Sequence, residues 1–172
     1  MEKSEKEIIT VPDEKIISRI FLIRGKKVMV DKDLAELYRV ETKVLIQSVK
    51  RNIKRFPRDF MFQLTKDEFI DLRSQFVTSN WGGRRYYPYA FTEQGVAMLS
   101  SVLNSDRAIQ VNIQIIRTFT QLRELLSTNK DLKEKIENME KKYDKQLREI
   151  FEAIKHLLME KTKPKEPIGF SV

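Results

Sequence analysis

Apolar residues recur along this chain in two periods, and the changes of period divide it into short elements. FLIRGKKVMV predicts two strands around a tight turn at Gly25-Lys26. Asp31 stands where it can cap a helix carrying Leu34, Ala35, Leu37 and Tyr38. Arg39-Val40-Glu41 then connects to a second helix, with Thr42 as its candidate N-cap. In that second helix Leu45, Ile46, Val49 and Ile53 keep helical spacing, and Pro57 stops it near Arg55, about three turns on. FMFQL alternates as a strand with Phe60, Phe62 and Leu64 on one face, and Thr65 with Glu68 forms a capping-box signature for a helix through Phe69, Ile70 and Leu72. Tyr86 to Phe91 are β-prone, Thr92 opens a helix through Val96, Met98, Leu99 and Val102, and Ser105 or Asp106 opens a much longer one. The long helix is apolar over so wide an arc, from Ile109 to Leu126, that it requires cover on more than one side.

Beyond Asn129 the texture changes. Ile136, Tyr143, Ile150 and Leu157 stand seven apart, with Leu132 and Met139 on complementary positions, which predicts an intermolecular coiled coil and a homodimer. The expected organisation is a flexible leader over 1–12, a globular domain over 13–127, a coiled coil over 128–160 and a mobile tail over 161–172 containing Ile168-Gly169-Phe170. The fold class is α+β: a small domain with a helix-turn-helix and short strands, followed by a long helix and the coiled coil.

Charge narrows the function. The chain of 172 residues carries a formal net charge of +8. Arg39, Lys43, Lys50, Arg51, Lys54, Arg55 and Arg58 fall within twenty residues against Glu41 alone, so that window holds most of the excess. There is no cysteine and one histidine, His156, which excludes disulfides and thiol nucleophiles and leaves little material for a metal site. No nucleotide-cradling glycine loop occurs, carboxylate pairs such as Asp67-Glu68 suit helix N-termini, and no apolar run reaches membrane-spanning length. The expectation is a cytoplasmic protein that is not an enzyme, with no catalytic residue, no cofactor and no metal.

Helix, tight connection and helix make the layout of a helix-turn-helix. On the second helix Lys43, Gln47, Lys50 and Lys54 fall within an arc of about 60°, while Leu45, Ile46, Val49 and Ile53 occupy another of about 100°. One side packs on the first helix, and the other is free to enter a major groove. Thr42, Lys43 and Gln47 lie where base contacts are usual, while Lys50, Arg51, Lys54 and Arg55 suit phosphates. The plainer alternative is a solvated basic helix face. Arg84 and Arg85, after Gly82-Gly83, suit a wing along a phosphate backbone, or equally an ordinary hairpin tip.

The strings IRGKKVMVDKDLAELYRVETKVLIQSVKRNIKRFPRDFMFQLTKDE and GGRRYYPYAFTEQGVAMLSSVLNSDRAIQVNIQIIRTF resemble the ORF-six-N domain of phage and bacterial proteins, a relative of the KilA-N domains. The resemblance runs from about Ile17 to Leu126. It implies DNA binding, commonly in prophage-associated regulators or antirepressor-like proteins, and supplies no reaction; with the helix-turn-helix layout the expected partner is double-stranded DNA. Asp33 to Tyr38, Arg51-Asn52, Arg55-Phe56-Pro57 and Pro88 to Gly95 match the family pattern; Arg39 departs from it, where a glycine is usual. The competing reading is an antirepressor adaptor that binds a phage or host repressor through its coiled coil and tail.

Overall fold

A computed structural model of the chain describes residues 9–74, 86–128 and 144–162. In chain order these form α1 (Asp13–Ile17), β1 (Phe21–Ile23), β2 (Lys26–Val30), α2 (Asp31–Tyr38), α3 (Thr42–Arg51) and a 3₁₀ turn (Ile53–Arg55). Then follow β3 (Met61–Gln63), α4 (Lys66–Ser74), β4 (Tyr89–Thr92), α5 (Glu93–Leu99), α6 (Asp106–Ser127) and α7 (Asp144–Thr162). The fold is α+β. The strands make one antiparallel sheet in the order β1-β2-β4-β3.

Strand alternation divides the core into two layers. Leu22, Met29 and Phe91 point to one face, where they join α1, α2, α3, α5, α6 and α7; Phe21, Val28, Val30 and Ala90 point to the other, where Leu72 of α4 covers them. Of the predicted strand face, Phe62 and Leu64 lie on the α4 side, whereas Phe60 precedes β3 and is not part of that cluster. The capping box is also present: Glu68 N–H donates to Thr65 Oγ1 at 3.3 Å and Thr65 N–H donates to Glu68 Oε1 at 2.9 Å.

Three local expectations shift by a residue. The hairpin turns at Arg24-Gly25, not Gly25-Lys26, because both central residues take positive φ (54° and 71°), the twist that a two-residue turn needs. Arg24 is held there by Glu68, which accepts from its Nε at 2.9 Å and its Nη2 at 2.8 Å. Asp31 is the first residue of α2 and not its cap; its buried carboxylate accepts from the Lys32 N–H at 2.7 Å and the Tyr89 N–H at 3.2 Å, tying α2 to the start of β4. Thr42 likewise lies inside α3, whose N-cap is Glu41 without a side-chain cap. Thr92 and Ser105 cap as expected, accepting from Gly95 N–H and Ala108 N–H.

The ends of the chain depart further from expectation. Residues 9–11, assigned by sequence to the flexible leader, are docked on α6: Gln110 Oε1 accepts from Ile9 N–H at 2.9 Å, and Gln114 bonds Val11 N–H at 3.0 Å and the Ile9 carbonyl at 3.1 Å. Val11 is buried. Of the predicted coiled coil, Leu132, Ile136, Met139 and Tyr143 lie outside the described residues. The described part, α7, packs on this chain's own α1 and α6 and buries Phe151, Ile154 and Leu158 in the main core. That stripe is rotated from the heptad seam, leaving Ile150 half-buried and Leu157 48% exposed. Lys155 is also buried; its Nζ donates to the Ile20 carbonyl at 2.8 Å and to Glu152 Oε1 at 3.2 Å. Burial lowers its pKa, and the neighbouring Glu152 opposes this.

Candidate nucleic-acid interface

The geometry of α2 and α3 begins at Arg39. It ends α2 in the left-handed region (φ 56°, ψ 47°), its N–H donating to the Glu36 carbonyl at 3.1 Å while the Val40 N–H donates to the Ala35 carbonyl at 3.0 Å. Only Val40 and Glu41 separate Arg39 from α3, so the connection is short enough to fix the angle between the helices. Leu45 and Val49 of α3 are fully buried against the core, and Ile46 is half-buried. Asn52 closes the helix, its Nδ2 donating to the Ser48 carbonyl at 2.9 Å.

Ile53, predicted to continue the apolar stripe, is 51% exposed. The helix has ended at Arg51 and the 3₁₀ turn changes the rotation per residue, so a position inward at 3.6 residues per turn swings out. Phe56 takes over the anchoring. It is buried edge-on against Phe91, ring centroids 6.0 Å apart at 89°, and so fixes the end of the α3 segment to the sheet.

With that side fixed, the opposite side is open. Lys43, Gln47, Lys50, Arg51, Lys54 and Arg55 are all exposed, and Thr42 is half-buried. Among the described residues no ion pair engages any of these five cations. Three carboxylates elsewhere in the domain are ion-paired instead: Glu36 to Arg19 at 2.7 Å, Glu68 to Arg24 at 2.8 Å and Glu93 to Arg123 at 2.6 Å. Lys50 and Arg51 also lie in the last turn of α3, where the helix dipole favours positive charge, a stabilising role that requires no ligand. Arg84 and Arg85 lie outside the described residues.

Residues behind the helix pair were not anticipated. Arg107 of α6 donates through Nε to the Leu37 carbonyl at 3.0 Å, satisfying the end of α2. Tyr38 donates its hydroxyl to Asn112 Oδ1, and Asn112 Nδ2 donates to the Val96 carbonyl at 3.1 Å. The signal for this link is weak in the sequence, because Asn112 alternates with apolar residues just as its neighbours Gln110 and Gln114 do. Burial pushes the Tyr38 hydroxyl far above its ordinary range, and its bond to Asn112 opposes that, so it is neutral at physiological pH.

Among the described residues no group of three or more His, Cys, Asp or Glu side chains is placed to hold a metal ion, and no helix is long and apolar enough to cross a membrane. No curated protein and no solved structure matches the chain. Residues 18–102 match the model of the ORF6N domain, a span from the end of α1 to just beyond α5 that contains the whole sheet and the α2–α3 pair. Residues 18–102 of this chain are thus an ORF6N domain.

Proposed function

We propose that this protein binds double-stranded DNA in a sequence-specific manner and acts as a prophage-associated transcription regulator, with α3 as its recognition helix. The observation that carries the reading is the contrast across α3. Its inner residues Leu45 and Val49 are buried, while five cations of α3 and the 3₁₀ turn that follows it are exposed with no ion-pair partner among the described residues. Unneutralised charge on a rigid, outward face suits a polyanion, because releasing the counterions condensed on DNA drives association. Lys43 and Gln47 stand toward the N-terminal end of α3, where side chains reach base edges; Lys50, Arg51, Lys54 and Arg55 face phosphates. Family membership supports the same reading. No chemical step is assigned, and the protein works as a binding module in the cytoplasm.

The test is binding-site selection with the full chain, followed by a salt titration on the selected duplex. The logarithm of the association constant should fall against log salt with a slope of about −3 to −4 per domain. Lys50→Ala/Lys54→Ala should weaken binding to all sequences and flatten the slope by about 2. Lys43→Ala/Gln47→Ala should relax sequence preference. A salt-independent affinity, or wild-type binding by both variants, would refute the proposal.

An adaptor that captures a repressor protein through residues beyond 127 is the competing function. It has less support, because α7 uses Phe151, Ile154 and Leu158 in its own domain's core. Capture of a repressor by protein that cannot bind DNA would favour it.

A further inference from the structure

The long helix α6 is apolar around most of its circumference, and its neighbours cover only part of that surface. Contacts with α1, α2, α5 and α7 bury Ala108, Val111, Ile115, Phe119 and Leu122. Gln110 and Gln114 are occupied by the backbone of residues 9–11. Between these covered sectors, Ile109 and Ile113 are 42% and 47% exposed, and Ile116 is half-buried beside them. Steps of four and three residues put the three isoleucines on one stripe along the helix. β-branched side chains contribute nothing to an exposed helix face, where straight-chain residues have better propensity, so a solvated role does not account for them. Asp106 and Arg117 border the stripe. Both are exposed, they lie within about 20° of each other around the helix and about three turns apart along it, and neither has an ion-pair partner among the described residues.

We propose that this stripe is the interface of a homodimer in which α6 packs antiparallel against α6 of a second copy. The occupant is identified by self-complementarity. A two-fold interface must present to itself both halves of each contact. With the axis level with Val111 and Asn112, Asp106 faces the partner's Arg117 and Arg117 faces the partner's Asp106. In the same register Ile109, Ile113 and Ile116 of the two copies interleave along the seam instead of meeting head-on. A partner of one charge sign would satisfy one end of the stripe and leave the other unpaired. The dimer so formed does not depend on the C-terminal heptads or on the DNA reading, and it is measured without DNA.

Sedimentation of the full chain at micromolar concentration should show a dimer, and Ile113→Glu should make it monomeric with an unchanged helical circular-dichroism spectrum. Asp106→Arg sets like charges against each other twice per dimer and should raise the dissociation constant at least about tenfold; the double reversal Asp106→Arg/Arg117→Asp should restore it. That rescue separates an interface from a folding defect. Because the chain has no cysteine, Ile113→Cys should also give a disulfide-linked dimer under mild oxidation. A monomeric wild type, a dimer indifferent to Ile113→Glu and Asp106→Arg, or cross-linking through Leu157→Cys but not Ile113→Cys would overturn the proposal.

Discussion

Tyr38 at the end of α2 and Asn112 in the middle of α6 share a buried hydrogen bond, hydroxyl to amide oxygen, which joins the α2–α3 pair to the long helix. The amide nitrogen of Asn112 continues the link to the Val96 carbonyl in α5. Both partners are buried, so removing either strands the other without water. Tyr38→Phe should cost about 1–3 kcal/mol in urea unfolding, and Asn112→Leu at least as much. The two together should cost clearly less than their sum, because the pair then disappears with no stranded hydroxyl. An additive double-mutant cycle would contradict a direct bond.

At Gly95 the sign of a substitution is decided by space. Alanine in a helix is ordinarily better than glycine by about 1 kcal/mol. Here, however, a Cβ would sit 2.1 Å from the backbone oxygen of Phe60, which also accepts from the Thr92 N–H at 3.0 Å. Neither backbone can yield without breaking the junction of β3, β4 and α5. Gly95→Ala is therefore expected to destabilise by about 3 kcal/mol. In thermal unfolding that is a drop of roughly 6–12 °C.

Asp33 supplies a pH dependence with a definite sign. Burial pushes its carboxyl up to about 6, outweighing the opposing charge of Arg19 at 3.5 Å. A carboxyl raised on folding binds its proton more tightly in the native state than in the unfolded chain. Its contribution is therefore most favourable below about pH 4 and is lost as pH rises toward about 6. Asp33→Asn should remove that decline. The stability difference, variant minus wild type, should grow by roughly 2 kcal/mol between those limits and stay level above them. Glu36 moves the opposite way, held low by its hydrogen bonds from Arg19, so the difference between the two proteins is the quantity to follow.

Arg39 occupies a left-handed backbone position that costs a side-chain-bearing residue about 1 kcal/mol. Its charge also lies near Arg107, whose pKa is lowered by burial and then by Arg39. Arg39→Gly should consequently raise the melting temperature by about 2–4 °C. A fall in melting temperature would show that the arginine side chain makes a compensating contact.

Local order was legible in the residues themselves. The Thr65–Glu68 box, the caps at Thr92 and Ser105, the strand alternation and the two faces of α3 all depend on neighbours within a few positions, and all are present. Sequence alone therefore determined the class of fold, the spacing of α2 and α3 and the exposure of the cations from Lys43 to Arg55. Tertiary structure decided what each apolar face meets. Periodicity states how wide such a face is, but not which neighbour covers it. The heptad spacing of Ile150 and Leu157 predicts a seam to another chain, and packing adds what that spacing does not contain: it buries Phe151, Ile154 and Leu158 at home and sends Lys155 to the Ile20 carbonyl, 135 residues away. Similarly, α6 announced that it needed cover on more than one side, and only the packed core showed which side lacks it. Such long-range choices rest on the summed burial of many side chains against loop-closure entropy, and no short window of sequence contains that balance.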